Sequence, residues 1–269
     1  MAESSAVAGS WADGDRYEAY VGRWSRLVAR EFVGRLDVPP GRRWLDVGCG
    51  TGVLTAMVLD LAAPASVLGV DRSAEFVAHA AARVTDPRAT FRVGDAAALP
   101  VAEAGVDAVV CGLVLNFLPD QAAAVAGWRR AVRPGGPVAA YVWDYAGGMD
   151  LMRLFWDAAA RVTASAGQLD EGARFPVCAP GPLAELFTGA GLADVVTGAV
   201  DVPTVFAGFD DLWTPFLGGT GHAPAYVATL AEDDRVALRE TLRAAVPVRD
   251  DGTIALTARA WTVQGRAPS

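Results

Sequence analysis

WLDVGCGTGVL, residues 44–54, decides the fold. An apolar run stops at Asp46, glycines stand at positions 48, 50 and 52, and an apolar helical period resumes at Val53. Glycine lacks a Cβ, so this spacing lets the backbone turn sharply at a strand end and come close to a ligand. The helix that follows offers N–H groups with no partner of their own. The stretch reads as buried strand, glycine turn and helix.

The same alternation extends outward. ASVLGVD closes a second strand on Asp71, and Ser73 caps the helix after it; ATFRVGD closes a third strand on Asp95. VDAVVCG supplies a fourth, DQAAAVAGWRRAV a helix stopped by RPGG, and PVAAYVW a fifth. Strands separated by helices of this length need right-handed crossovers, so the sheet is predicted parallel with both faces covered. The fold class is α/β, a doubly wound Rossmann-like sheet. The second half loses that rhythm: a helical stretch over 149–166 and an aromatic, Gly/Pro-rich stretch after Pro203 read as insertions. The predicted organisation is N-terminal helices over 1–40, a cofactor-binding half over 41–145, and helical and aromatic cap insertions at 146–180 and 203–250. Residues 181–202 and 251–269 complete the sheet, TIALTARAWTV being its last strand. Open α/β sheets bind ligands at the carboxyl ends of their strands, where the strand order reverses.

Composition removes whole classes of function. Lys+Arg 23 against Asp+Glu 31 leaves a net charge of −8, the wrong sign for counterion release on nucleic acid. There is no lysine at all, which excludes a Walker lysine and a pyridoxal Schiff base. Cys49, Cys111 and Cys178 are far apart and His79 and His222 are the sole histidines, so neither a metal site nor a disulfide framework is expected. No run approaches the ~18 apolar residues of a membrane span, and the first residues are small and acidic, unlike a leader. The expected setting is cytoplasmic, away from membranes, as monomer or homodimer.

Dinucleotide sites show G-x-G-x-x-G, whereas here the spacing is G-x-G-x-G. Asp46 at the strand tip repels a pyrophosphate and suits a cationic amino-acid group, which favours a cofactor carrying an ammonium and a sulfonium. Asp71 ends the second strand where a carboxylate accepts both hydroxyls of a ribose. Asp95 ends the third, where its side chain can meet an adenine amine while the Ala96 N–H reaches a ring nitrogen.

With LDVGCGTG, GVDRS, VGDAAALP, VDAVVCGLVLNFLPD and RPGGPVAAYVW in order, the stretch from Tyr17 to Trp143 resembles the class I S-adenosylmethionine-dependent methyltransferases, closest to the ubiquinone/menaquinone-biosynthesis type. The resemblance implies a seven-stranded sheet with an antiparallel last strand, and S-adenosylmethionine as cofactor with S-adenosylhomocysteine as product. By the same resemblance Gly48, Cys49 and Gly50 line the methionine part, Asp71 holds the ribose, Arg72 flanks the adenine, Asp95 and Ala96 read its edge, and Gly112 and Leu113 offer backbone near the sulfonium. YVGRWSR resembles the lid helix, with Tyr20 and Arg23 toward the cofactor's carboxylate.

For the methyl acceptor, expected to be an O, N or C atom of a small, partly hydrophobic metabolite, neutral or cationic rather than a large anion, the candidates are Asn116 beyond the fourth strand and the aromatic Trp143, Tyr145 and Trp213. Such rings surround a cation or simply pack. Asp144 and His222, the latter read as part of a loop, are the candidate proton acceptors, although methyl transfer from an activated sulfonium does not require one. Cys49 reads as a small turn residue rather than a nucleophile. Two alternatives stay open: a nucleoside-binding module without turnover, and a nicotinamide-dependent oxidoreductase.

Overall fold

The computed structural model describes residues 22–163, 166–218 and 221–269. Its sheet comprises β1 (Arg43–Val47), β2 (Ser66–Asp71), β3 (Ala89–Val93), β4 (Ala108–Gly112), β5 (Pro137–Trp143), β6 (Ala193–Phe206) and β7 (Ile254–Arg266). The strands lie in the order β3-β2-β1-β4-β5-β7-β6, the first five parallel and the last in sequence antiparallel. This is the doubly wound α/β arrangement expected. β1 and β4 are buried along nearly their whole length because helices cover both faces. Asp46 of β1 pairs with Gly69 on one side and Val110 on the other, at the point where strand order reverses.

The helices are α1 (Arg23–Gly34), α2 (Val53–Leu61), α3 (Ala74–Arg83), α4 (Gln121–Ala131), α5 (Asp150–Val162), α6 (Glu171–Arg174), α7 (Pro180–Gly189), α8 (Phe209–Trp213), α9 (His222–Thr229) and α10 (Glu232–Ala245). Local chemistry sets their starts. Ser73 accepts the Phe76 N–H at 3.2 Å to open α3, and Asp120 accepts the Ala123 N–H at 2.9 Å to open α4.

The chain divides into two compact units. Ser25–Val142, Val177–Val200 and Ala260–Ser269 form the sheet unit, whose core includes Trp44, Leu45, Val109, Trp128 and Val138. Trp143–Pro176 and Asp201–Arg259, with residues 22–24, form the second unit. There α5 buries Leu151, Met152, Phe155, Trp156, Ala158 and Ala159 and packs on α10, while Phe155 stacks on Phe216 at 4.4 Å.

Candidate active site

The three glycines of the turn have different tasks. All have positive φ, +72° at Gly48, +50° at Gly50 and +84° at Gly52, a region costly for other residues. A Cβ at Gly48 would sit 2.7 Å from the Val114 side chain, and one at Gly52 would press on Ala80 and Val84 at 3.2 and 3.1 Å. Those two glycines serve packing. A Cβ at Gly50 would meet nothing within 4 Å, so the turn opens there. The Gly48 and Cys49 N–H groups donate to the Val70 carbonyl at 2.7 and 3.0 Å, fixing the turn against β2.

Each strand-end acid has a distinct environment. Asp46 is 1% exposed; Thr55 Oγ1 of α2 donates to its Oδ2 at 2.7 Å, and its buried Oδ1 has no hydrogen-bond partner. Burial, aided by the nearby Asp71 charge, pushes its carboxyl up to about 7. Asp71 accepts the Gly50 N–H on Oδ2 at 3.0 Å and the Ser73 N–H on Oδ1 at 2.9 Å, which leaves each oxygen a further lone pair. Asp95 is exposed and accepts the Ala97 N–H at 2.8 Å; the Ala96 carbonyl takes the Trp128 indole N–H at 3.0 Å. Arg72 is exposed at the start of the loop after β2.

At the end of β4, a Cβ on Gly112 would collide with the Tyr141 hydroxyl at 2.5 Å, and Leu113 has φ +62°. A bulky side chain held in that region stores strain, of the kind that collects at functional sites. Asn116, in the 3-10 turn Leu115–Phe117, is 5% exposed and its Nδ2 has no hydrogen-bond partner. Cys49 is buried and burial holds its thiol protonated, in line with a turn residue rather than a nucleophile. Tyr20 lies outside the described residues, and Arg23 is described only as backbone of α1.

The remaining candidates belong to the second unit. Asp144 is 6% exposed and accepts the Gly147 N–H at 3.1 Å and the Gly148 N–H at 2.7 Å, closing the loop after β5. Tyr145 packs on Phe175 at 5.8 Å, Trp213 on Phe216 at 5.9 Å, and Trp143 is buried. His222 is not in a loop: it is the first residue of α9 and 8% exposed. Pro224, tolerated in a first turn, lets the helix begin there. His222 Nδ1 lies 3.7 Å from Oε1 of Glu171, which is 3% exposed and accepts the Trp156 indole N–H through Oε2. Burial pushes Glu171 up to about 7; burial and then the Arg174 charge hold His222 down to about 4. Glu171 escapes sequence reading because QLDEGARF looks like a solvated helix start. Its one signal was Trp156, whose indole N–H needs an acceptor on a buried helix face.

Among the described residues no group of three His, Cys, Asp or Glu could hold a metal ion. A family profile described as a methyltransferase domain matches residues 45–140. The chain is 30% identical over 225 residues to a trans-aconitate 2-methyltransferase of Deinococcus radiodurans, covering 80% of this chain and 82% of that one. It is 42% identical over 96 residues to a probable S-adenosylmethionine-dependent methyltransferase of Mycolicibacterium smegmatis, and spans 36% of this chain and only 36% of that relative's length. Phosphoethanolamine N-methyltransferase 2 of Haemonchus contortus, solved in complex with S-adenosyl-L-methionine, shares the fold with TM-score 0.59 at 16% identity, over 96% of this chain and 58% of that one.

Proposed function

The chain belongs to the class I S-adenosylmethionine-dependent methyltransferases, and on that premise we propose that it moves a methyl group from S-adenosylmethionine to a carboxylate oxygen of a small organic acid. The observation that carries the cofactor half of this reading is Asp46, a buried carboxyl with one oxygen unmatched and no cation paired to it among the described residues. An ammonium fits that vacancy; a pyrophosphate does not.

The residues fit the cofactor group by group. Asp46 takes the ammonium, Gly48, Cys49 and Gly50 flank the methionine chain, and the spare lone pairs of Asp71 accept the ribose hydroxyls. Arg72 flanks the adenine, Asp95 and Ala96 read its edge, and the backbone of Gly112 and Leu113 borders the sulfonium. When bound, S-adenosylmethionine supplies a methyl already activated by positive sulfur. The protein's part is alignment and exclusion of water, which lower the barrier without covalent catalysis.

The acceptor class rests on two supports. The relatives matched over most of their length are named for trans-aconitate. A carboxylate also arrives ionised at neutral pH and needs no base, and neither candidate base is suited to be one. Both oxygens of Asp144 are held by backbone N–H groups, and His222 is buried against Glu171. Asn116, with a buried donor to spare, takes the acceptor's polar contact.

Incubation with methyl-labelled S-adenosylmethionine and separate pools of small carboxylic acids, phenols and amines tests this. Label should pass into a base-labile ester from the acid pool. Transfer to amines or phenols in preference would refute the acceptor class while leaving the cofactor assignment standing.

A further inference from the structure

We propose that binding the cofactor's ammonium group expels one proton from Asp46 to solvent, which makes cofactor affinity rise with pH. The inference rests on the reading of this site as one for S-adenosylmethionine and adds to it a proton in the binding equilibrium.

Among the described residues, no cation is brought to Asp46, and Thr55 alone supplies hydrogen bonds to it. Its strand neighbours on β2 and β4 are Gly69 and Val110, both without charge. Thr55 of α2 donates its hydroxyl to Oδ2 at 2.7 Å, and its backbone N–H also favours the charged form. The thiols of Cys49 in the turn and Cys111 on β4 are buried and held protonated. From the end of β2, Asp71 contributes a second negative charge. No arginine or histidine forms an ion pair with Asp46 among the described residues, and the chain has no lysine to lend.

A buried carboxylate held by Thr55 alone, with an unmatched oxygen and an acid for a neighbour, is costly, and a carboxyl so placed keeps its proton instead. Its titration near 7 agrees with that placement. An ammonium delivered to Oδ1 supplies the missing cation and hydrogen bond together. The balance is a carboxylic acid plus an ammonium giving a carboxylate–ammonium pair plus one proton released to water. No bond of the cofactor is broken. The logic is that of metal sites, where ligands must lose protons to bind.

The test is calorimetric titration with S-adenosylhomocysteine, which carries the ammonium and cannot react, in two buffers of contrasting ionisation heat. At about pH 6 close to one proton per site should be released, and Kd should weaken about tenfold for each unit of pH below about 7. In Asp46→Asn, a neutral isostere, release should vanish and the pH dependence flatten. Tight binding by the wild type with release under roughly 0.2 proton at that pH overturns the proposal while sparing the cofactor reading. If the variant does not bind, melting decides: wild-type stability should fall between about pH 5 and 7 more steeply than that of the variant, and equal slopes overturn the proposal. Absence of binding by the wild type at every pH refutes the cofactor reading itself.

Discussion

Glu171→Gln gives the second unit a measurable pH signature. In the folded chain the Glu171 carboxyl titrates at about 7 against an ordinary 4.5, because burial disfavours its charge. A carboxyl whose folded value is raised stabilises the fold fully below its unfolded value and loses that contribution as pH rises through the folded one. The displacement is worth about 3 kcal/mol, developed between about pH 4.5 and 7. For a chain of this size that is about 6–12 °C in Tm. The groups around Glu171 are His222 at 3.7 Å, the adjacent Asp170 with its ion-pair partner Arg153 at 2.5 Å, and Arg174 near His222. His222 has the opposite slope: kept neutral down to about 4, it costs stability as pH falls below its ordinary 6.5, and the two groups titrate as a coupled pair. Glutamine keeps a carbonyl for the Trp156 indole and cannot ionise. Thermal unfolding of wild type and variant should nearly coincide at about pH 5 and separate in favour of the variant by about 6–12 °C at about pH 8. A gap that does not change with pH would refute the assignment of a buried, neutral Glu171.

Other substitutions separate folding from binding. Gly50→Ala meets only the cost of a positive φ, about 1–2 kcal/mol, yet its methyl enters the open side of the turn; melting should drop modestly while S-adenosylhomocysteine affinity falls more than about tenfold. Gly48→Ala adds a clash with Val114 to the same strain and should destabilise by about 2–4 kcal/mol in denaturant titrations. Asp71→Asn keeps the side chain's shape but weakens charge-assisted hydrogen bonds to the ribose, for an expected loss of about 10–100-fold in cofactor affinity by calorimetry. Asn116→Leu removes a buried donor that has no partner, so stability should hold or rise by up to about 1 kcal/mol while the acceptor KM increases and cofactor affinity stays level.

The sheet was legible because its physics is local and periodic. Apolar runs that stop at Asp46, Asp71 and Asp95 mark strand ends, and helical spacers between them dictate parallel pairing, as the strand order β3-β2-β1-β4-β5-β7-β6 bears out. What the residues could not disclose is three-dimensional. Gly48, Gly50 and Gly52 look equivalent in the chain, and only their neighbours Val114, Ala80 and Val84 distinguish packing glycines from the open one. Asp144 read as a candidate proton acceptor at a strand end, but two backbone N–H groups from the following loop occupy it. Glu171 and His222 start separate helices far apart in sequence, and no local pattern announces that both side chains are buried against each other.

Parallel calorimetric titrations of the folded, nucleoside-free protein with S-adenosylmethionine, S-adenosylhomocysteine and a nicotinamide dinucleotide test the central claim most directly. The expected result is saturable binding of the first two at one site per chain, in the micromolar range, and none of the third. Binding of the dinucleotide alone, or of none of the three, would contradict the reading of Asp46, Gly50 and Asp71 as a site for an ammonium-bearing nucleoside.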